Sequence, residues 1–138
     1  MSISPCVFCR IVDRLTSARI VWEGEDGIAF LDQSPINRGH LVIIPRVHVA
    51  KIWDLEEPTF LRLLSLVRRL AVPLAKAMLA DRAAMAVEGY GVPHAHVHLV
   101  PVNGGNELDP CRQVPASEDD LDVVAECIRE NFSKSLAI

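Results

Sequence analysis

Three of the five histidines in this 138-residue chain stand at every second position, in Pro93-His94-Ala95-His96-Val97-His98-Leu99-Val100-Pro101. Side chains alternate between faces in an extended strand. All three imidazoles are therefore expected on one side, with neighbours about 6.6 Å apart. Ala95, Val97 and Leu99 give the other side an apolar surface fit to pack on a core. Structural histidines are usually solitary and need separate partners when buried. A one-sided row of groups that titrate near neutral pH instead suits proton transfer, metal binding or phosphate chemistry.

A second cluster, Cys6-Val7-Phe8-Cys9, comes near the start of the chain. A C-x-x-C pair is half a zinc site, a redox dithiol or two buried small hydrophobes. Zinc favours two thiolates on one tight turn, with the other ligands drawn from elsewhere. The redox reading wants a preceding strand in a βαβ unit, and only five residues precede Cys6. No second C-x-x-C is present, whereas spare histidines are. His48, just beyond a strand end, is either a surface residue or a metal ligand, and Asp32 is either a turn former or a ligand group.

Reach decides how the histidine row is used. His98 lies about 13 Å from His94 along a regular strand. One zinc ion cannot collect all three, because Zn–N bonds are only about 2.1 Å long. One end of the row can join Cys6, Cys9 and His48 in a closed four-ligand site, which frees the remaining imidazoles. A neutral imidazole is a good nucleophile toward phosphorus and a good leaving group once attached. A neighbouring histidine can donate to phosphate oxygens or move a proton to the leaving group.

The rest of the chain must position these groups. Arg10 to Arg14 reads as a short helix with Ile11 and Leu15 as apolar contacts. Strands are expected at Arg19 to Glu23, at Gly27 to Asp32 after an Asp26-Gly27 turn, at Gly39 to Pro45 and at Ala84 to Glu88. Asp54 to Asp81 reads as a long helix with Asp54 as N-cap and Glu56 and Glu57 in its first turn. Its buried stripe is expected to be Leu61, Leu64, Val67, Ala71, Leu74, Ala75, Met78 and Leu79. Pro73 should kink or break it. Ser117-Glu118-Asp119-Asp120 opens a last helix that buries Leu121, Val124, Ala125, Ile128 and Phe132. Cys111 and Cys127 lack metal spacing and read as ordinary thiols.

Composition narrows the classes. Half of the residues are hydrophobic, enough for one core, and the length suits one domain. The net charge of -4, from 18 acidic and 14 basic residues, argues against a nucleic-acid or membrane-surface binder. No apolar run approaches the ~20 residues of a membrane span. Met1-Ser2-Ile3-Ser4-Pro5 lacks the pattern of a signal peptide, so a cytoplasmic protein with reduced thiols is expected.

These residues resemble the histidine triad (HIT) family, whose signature is His-x-His-x-His followed by two apolar residues. His94-Ala95-His96-Val97-His98-Leu99-Val100 matches it throughout. The likeness extends to Gly39-His40-Leu41-Val42-Ile43-Ile44-Pro45-Arg46-Val47-His48, to Phe30-Leu31-Asp32 and to Cys6-Val7-Phe8-Cys9. It covers about residues 5–101 of a single 1–138 domain, and residues 102–138 form an extension without a family signature.

The resemblance implies an α+β fold, with a five-stranded antiparallel sheet, one long helix and a C-terminal helix, usually assembled as a homodimer. It implies a nucleotide hydrolase or transferase acting at the α-phosphate of nucleoside phosphoramidates, adenylates or dinucleoside polyphosphates. The substrate is then an AMP-like purine nucleotide and the intermediate a covalent nucleotidyl-histidine. By position, His96 is the nucleophile, His98 its phosphate-contacting neighbour and His40 the fourth active-site histidine. Asp32 corresponds to the carboxylate that binds ribose hydroxyls, and Phe8, Ile11 and Phe30 to the wall around the base. Cys6, Cys9, His48 and His94 correspond to the ligands of a structural zinc.

Many members carry Asn, Gly, Gln and Ser or Thr before the triad. Here the stretch is Glu88-Gly89-Tyr90-Gly91-Val92-Pro93, which lacks Gln and Ser and offers backbone N–H groups instead. Two other readings compete. One is a nucleotide-binding adapter with incidental hydrolysis, and the other a metal-dependent hydrolase with zinc in the active site.

Overall fold

A computed structural model describes residues 4–136, so Met1 to Ile3 of the expected non-signal N-terminus lie outside the described residues. Five antiparallel strands form one sheet in the order β1-β2-β3-β5-β4. They span Ile20–Gly24 (β1), Gly27–Leu31 (β2), Leu41–Ile44 (β3), Arg82–Ala86 (β4) and Val97–Val102 (β5). Among the described residues three α-helices complete the fold, Val7–Val12 (α1), Glu57–Ala77 (α2) and Glu118–Ser135 (α3). This is the expected α+β architecture, with one long helix and a C-terminal one.

Period-two alternation divides the sheet into two faces. Ala29, Leu31, Leu41, Ile43, Val97 and Leu99 face α2 and α3 and form the main core with them. Ile28, Phe30, Val42 and Ile44 face the other way and meet Cys6, Phe8 and Ile11 from the α1 region. The register sets Phe30 opposite Val42, Val42 opposite His98 and His98 opposite Ala86. A row of side chains thus crosses the sheet toward α1, and the histidine belongs to it.

Helix α2 contributes Leu63, Leu66, Leu70 and Leu74, all fully buried, at spacings that keep them on one stripe. Each adds roughly 1.5–3 kcal/mol by leaving water. The stripe lies rotated from the expected one. Val67, Leu74 and Ala75 are buried as expected, and Leu64, Ala71 and Met78 pack at the margin. Leu61 and Leu79, in contrast, are exposed. Asp54 is not the N-cap: it ends a 3-10 turn over Ile52–Asp54, and Glu56 takes the cap position. Pro73 does not break the helix, which runs on to Ala77 with the proline buried. The apolar ring packs in the core where a polar breaker could not, and tertiary burial outweighs the lost hydrogen bond.

Local signals at the other termini agree better. Ser117 caps α3 by accepting the Asp120 N–H at 3.1 Å, and acidic residues fill the first turn. Its buried residues are the five expected. Helix α1 begins earlier than Arg10 because Cys6 caps it, and Leu15 is exposed beyond it. Strand β4 is Arg82–Ala86 rather than 84–88, which leaves Glu88 in the following loop. No helix among the described residues is long and apolar enough to cross a membrane.

Candidate active site

The three triad histidines do not share one regular strand. Ladder pairing begins at Val97, so His98 is within β5, while His94 lies in a bend and His96 in the short stretch between that bend and the strand. Release from the ladder lets each ring take a different direction. His94 turns to the N-terminal cysteines, whereas the His96 and His98 rings approach to 5.0 Å.

His94 is fully buried, and its Nε2–H donates to the Pro45 carbonyl at 3.0 Å. A carbonyl only accepts, so the lone pair is on Nδ1. That atom lies 3.5 Å from Cys6 Sγ, 3.5 Å from Cys9 Sγ and 3.3 Å from His48 Nδ1. Cys9 Sγ and His48 Nδ1 are 3.1 Å apart, and all four atoms lie within 4.8 Å of one another. Tetrahedral zinc with two sulfur and two nitrogen ligands needs neighbouring ligand atoms roughly 3.3–3.8 Å apart. The donor set, the spacing and the Pro45 carbonyl behind His94 all fit that ion. Burial, with Cys6 alongside, pushes the Cys9 thiol up, so an ion entering here must displace protons.

The second group of histidines has a defined proton order. His96 is buried, and its Nδ1 donates to the His94 carbonyl at 2.7 Å. Its Nε2 therefore carries a lone pair free to attack. Buried His40 receives the Ile36 backbone N–H on Nδ1 at 3.0 Å. A backbone N–H cannot accept, so the neutral His40 ring holds its proton on Nε2. That nitrogen faces His98 Nδ1 at 2.9 Å, which makes His98 the acceptor there and places its own proton on Nε2. One ring thus offers a lone pair and its neighbour an N–H. Burial pushes His40 down to about 4, Asp32 opposing and His98 adding to the shift. Burial also lowers His98, with His96 adding to the effect. His40 and His98 are therefore neutral rings near pH 7.

Asp32, His40 and His98 also bring ligand-type atoms together. The Ile36 N–H argues against a metal there, because it keeps the His40 proton on the nitrogen that would have to coordinate.

Between α1 and the sheet opens a cavity of about 400 Å³ lined by Phe8, Ile11, Phe30, Val42, Val92 and Asp32, among others. Phe8 stands edge-on to Phe30 at 5.5 Å and to His96 at 5.3 Å, so the apolar wall reaches the His96 ring. Asp32 accepts the Ser34 N–H on Oδ1 at 2.8 Å, and its Oδ2 lies 3.8 Å from His40 Nε2. A carboxylate, an apolar slot and paired imidazoles fit a nucleoside monophosphate unit. Sequence reasoning omitted Val42 and Val92 from the wall. Strand alternation could have found Val42, which is two residues from both His40 and Ile44. The Ile36 N–H has no sequence signal, because any residue there supplies one. Gly89 and Gly91 have φ of +92° and +88° in the exposed turn before the triad, and of that turn Val92 reaches the cavity.

A HIT-domain family model matches residues 14–105 of the chain. The chain belongs to the HIT family. It is 33% identical over 101 residues to an uncharacterized HIT-like protein of Saccharolobus solfataricus, covering 70% of this chain and 73% of that one. It is 30% identical over 135 residues to an adenosine 5'-monophosphoramidase of Saccharomyces cerevisiae, covering 94% and 82%. A zinc-bound histidine triad family protein from Mycobacterium smegmatis superposes with a TM-score of 0.83 at 25% identity, over 96% of each chain. In this HIT protein the family model ends before the 3-10 turn at Pro110–Arg112 and helix α3.

Proposed function

We propose that this HIT protein is a nucleotide hydrolase or transferase that cleaves the bond between an α-phosphate and its leaving group through a nucleotidyl-His96 intermediate. The observation that carries the reading is the His96 Nδ1–H to His94 carbonyl bond of 2.7 Å, which leaves Nε2 as the free nucleophile. The lone pair on Nε2 forms a bond to phosphorus as the bond to the leaving group breaks. The carbonyl of His94 stabilises the positive charge that develops on the ring. His98 Nε2–H donates to the phosphate oxygens and moves a proton to the departing group. Water then attacks phosphorus and passes a proton back to His98 Nε2, while the P–N bond breaks and His96 regains its lone pair. Asp32 holds the ribose hydroxyls, and Phe8, Ile11 and Phe30 the base. Adenosine phosphoramidates are the first substrates to test, since the yeast relative is named for that activity.

Cys6, Cys9, His48 and His94 would hold zinc, whose shell is then closed by protein ligands and acts as a structural tie. The free thiols this requires suit a cytoplasmic setting. A homodimer is supported by edge strand β4, which among the described residues pairs with β5 alone, and by Met85, Leu61 and Val72 exposed on β4 and α2. Sedimentation or light scattering reads the assembly directly.

The test of mechanism is rapid quenching with an adenosine phosphoramidate, followed by intact mass measurement. A nucleotidyl adduct on the wild type, absent from a folded His96→Ala protein with turnover lowered at least ~10³-fold, is the expected result. Saturable AMP binding with no turnover and no adduct would instead make the protein an adapter.

A further inference from the structure

The chain beyond the family match is tied to the loop that bears the Ile36 N–H. The Ala116 N–H donates to the Gln33 carbonyl at 3.1 Å and the Val114 N–H to the Pro35 carbonyl at 3.5 Å. Gln113 Nε2 donates to the Ser34 carbonyl at 2.8 Å. Asn37 is the hub of these ties. Its Nδ2 donates to the Pro101 carbonyl and to Glu107 Oε1, both at 2.8 Å, and its Oδ1 accepts from Arg112 Nη2 at 2.7 Å. One side chain thus joins the 33–38 loop, the end of β5, the 103–107 loop and the 3-10 turn over Pro110–Arg112. All three polar hydrogens and lone pairs it commits are matched by charged or backbone groups, which gives a single stable setting.

That setting bears on the histidines through two short steps. The Asn37 carbonyl accepts the His40 N–H at 3.1 Å, and the preceding Ile36 donates its N–H to His40 Nδ1. Gly39 closes the turn with φ of +90°, and a Cβ there would come within 2.6 Å of Met78 Cγ, so the turn calls for glycine. We propose that Asn37, clamped by Arg112 and Glu107, is a positioning residue through which the C-terminal segment holds the His40–His98 pair in one proton order. Its catalytic meaning rests on the function proposed above. Without the clamp the 33–37 loop loses its register to His40, Nδ1 loses its donor, and the proton can reside on either nitrogen. His98 then no longer presents N–H consistently to the phosphate side.

Nitrogen-15 chemical shifts of the imidazoles read the proton order without any turnover. In the wild type, His40 and His98 should both carry the proton on Nε2. In Asn37→Ala and, less strongly, in Arg112→Ala, the His40 signals should move toward a mixture of the two neutral forms. With an established substrate, kcat should fall roughly tenfold while KM stays within about twofold, since only placement of the proton donor changes. Arg112→Lys should restore part of the wild-type spectrum. Unchanged imidazole shifts in folded Asn37→Ala would overturn the proposal. Should that variant fail to fold, unchanged shifts in Arg112→Ala would do so, as its side chain is on the surface. Loss of the nucleotidyl adduct would overturn the proposed chemistry but leave the spectral result standing.

Discussion

The backbone carbonyl of His94 accepts a hydrogen bond from His96 Nδ1 at 2.7 Å. The His94 ring points to the Cys6, Cys9 and His48 cluster, and its carbonyl holds the ring of the proposed nucleophile. One residue therefore spans the metal-type cluster and the reacting side. Whatever fixes the His94 ring also fixes the orientation of His96 Nε2.

Loss of metal should therefore cost stability first and activity second. Cys6→Ser or exhaustive chelation is expected to lower Tm by roughly 10 °C, since binding free energy is coupled to folding. Turnover below the new Tm should fall by less than in His96→Ala. Metal content measured beside the melting curve checks this. Full metal content and an unchanged Tm in the Cys6→Ser protein would contradict the four-ligand assignment.

Acid should destabilise the fold through His40. Its value is about 4 when folded against 6.5 ordinarily. Between these values the unfolded chain binds a proton that the folded chain refuses, so stability is lost as pH falls from 6.5 toward 4. In His40→Gln that contribution disappears, and the slope of Tm against pH in this window should flatten. Equal slopes for the two proteins, at matched metal content, would count against a buried neutral His40.

Asp32→Asn separates ribose binding from chemistry. The amide keeps an oxygen for the Ser34 N–H but removes the charge that strengthens bonds to ribose hydroxyls. KM for a nucleotide substrate should rise about tenfold or more, with kcat much less affected. A deoxyribose analogue should lose correspondingly less in the variant than in the wild type. An unchanged KM would remove Asp32 from the binding site.

Much of the fold was legible because it rests on local chemistry. Alternation placed Val97 and Leu99 on the core face, and Ser117 with its acidic followers set the start of α3. The stripe on α2 was less legible. Leucines surround the helix, and only packing against α3 and the sheet decides that Leu63, Leu66 and Leu70 turn inward while Leu61 does not. The continuation of the helix past Pro73 was hidden for the same reason, since the proline's cost is local and its compensation is tertiary.

The site divides in the same way. Residue types marked a histidine row beside a C-x-x-C pair, and the family resemblance marked His96, His98, His40 and Asp32; the division of the row between two sites follows from the break in the ladder before Val97 rather than from a regular strand. Only the tertiary structure decided the proton order. That order depends on the Pro45 and His94 carbonyls and on the Ile36 N–H, backbone groups that every sequence possesses and only a folded chain can aim. The ties through Asn37 to Arg112 and Glu107 were hidden likewise, because the partners stand about seventy positions away along the chain and meet only once the sheet has formed.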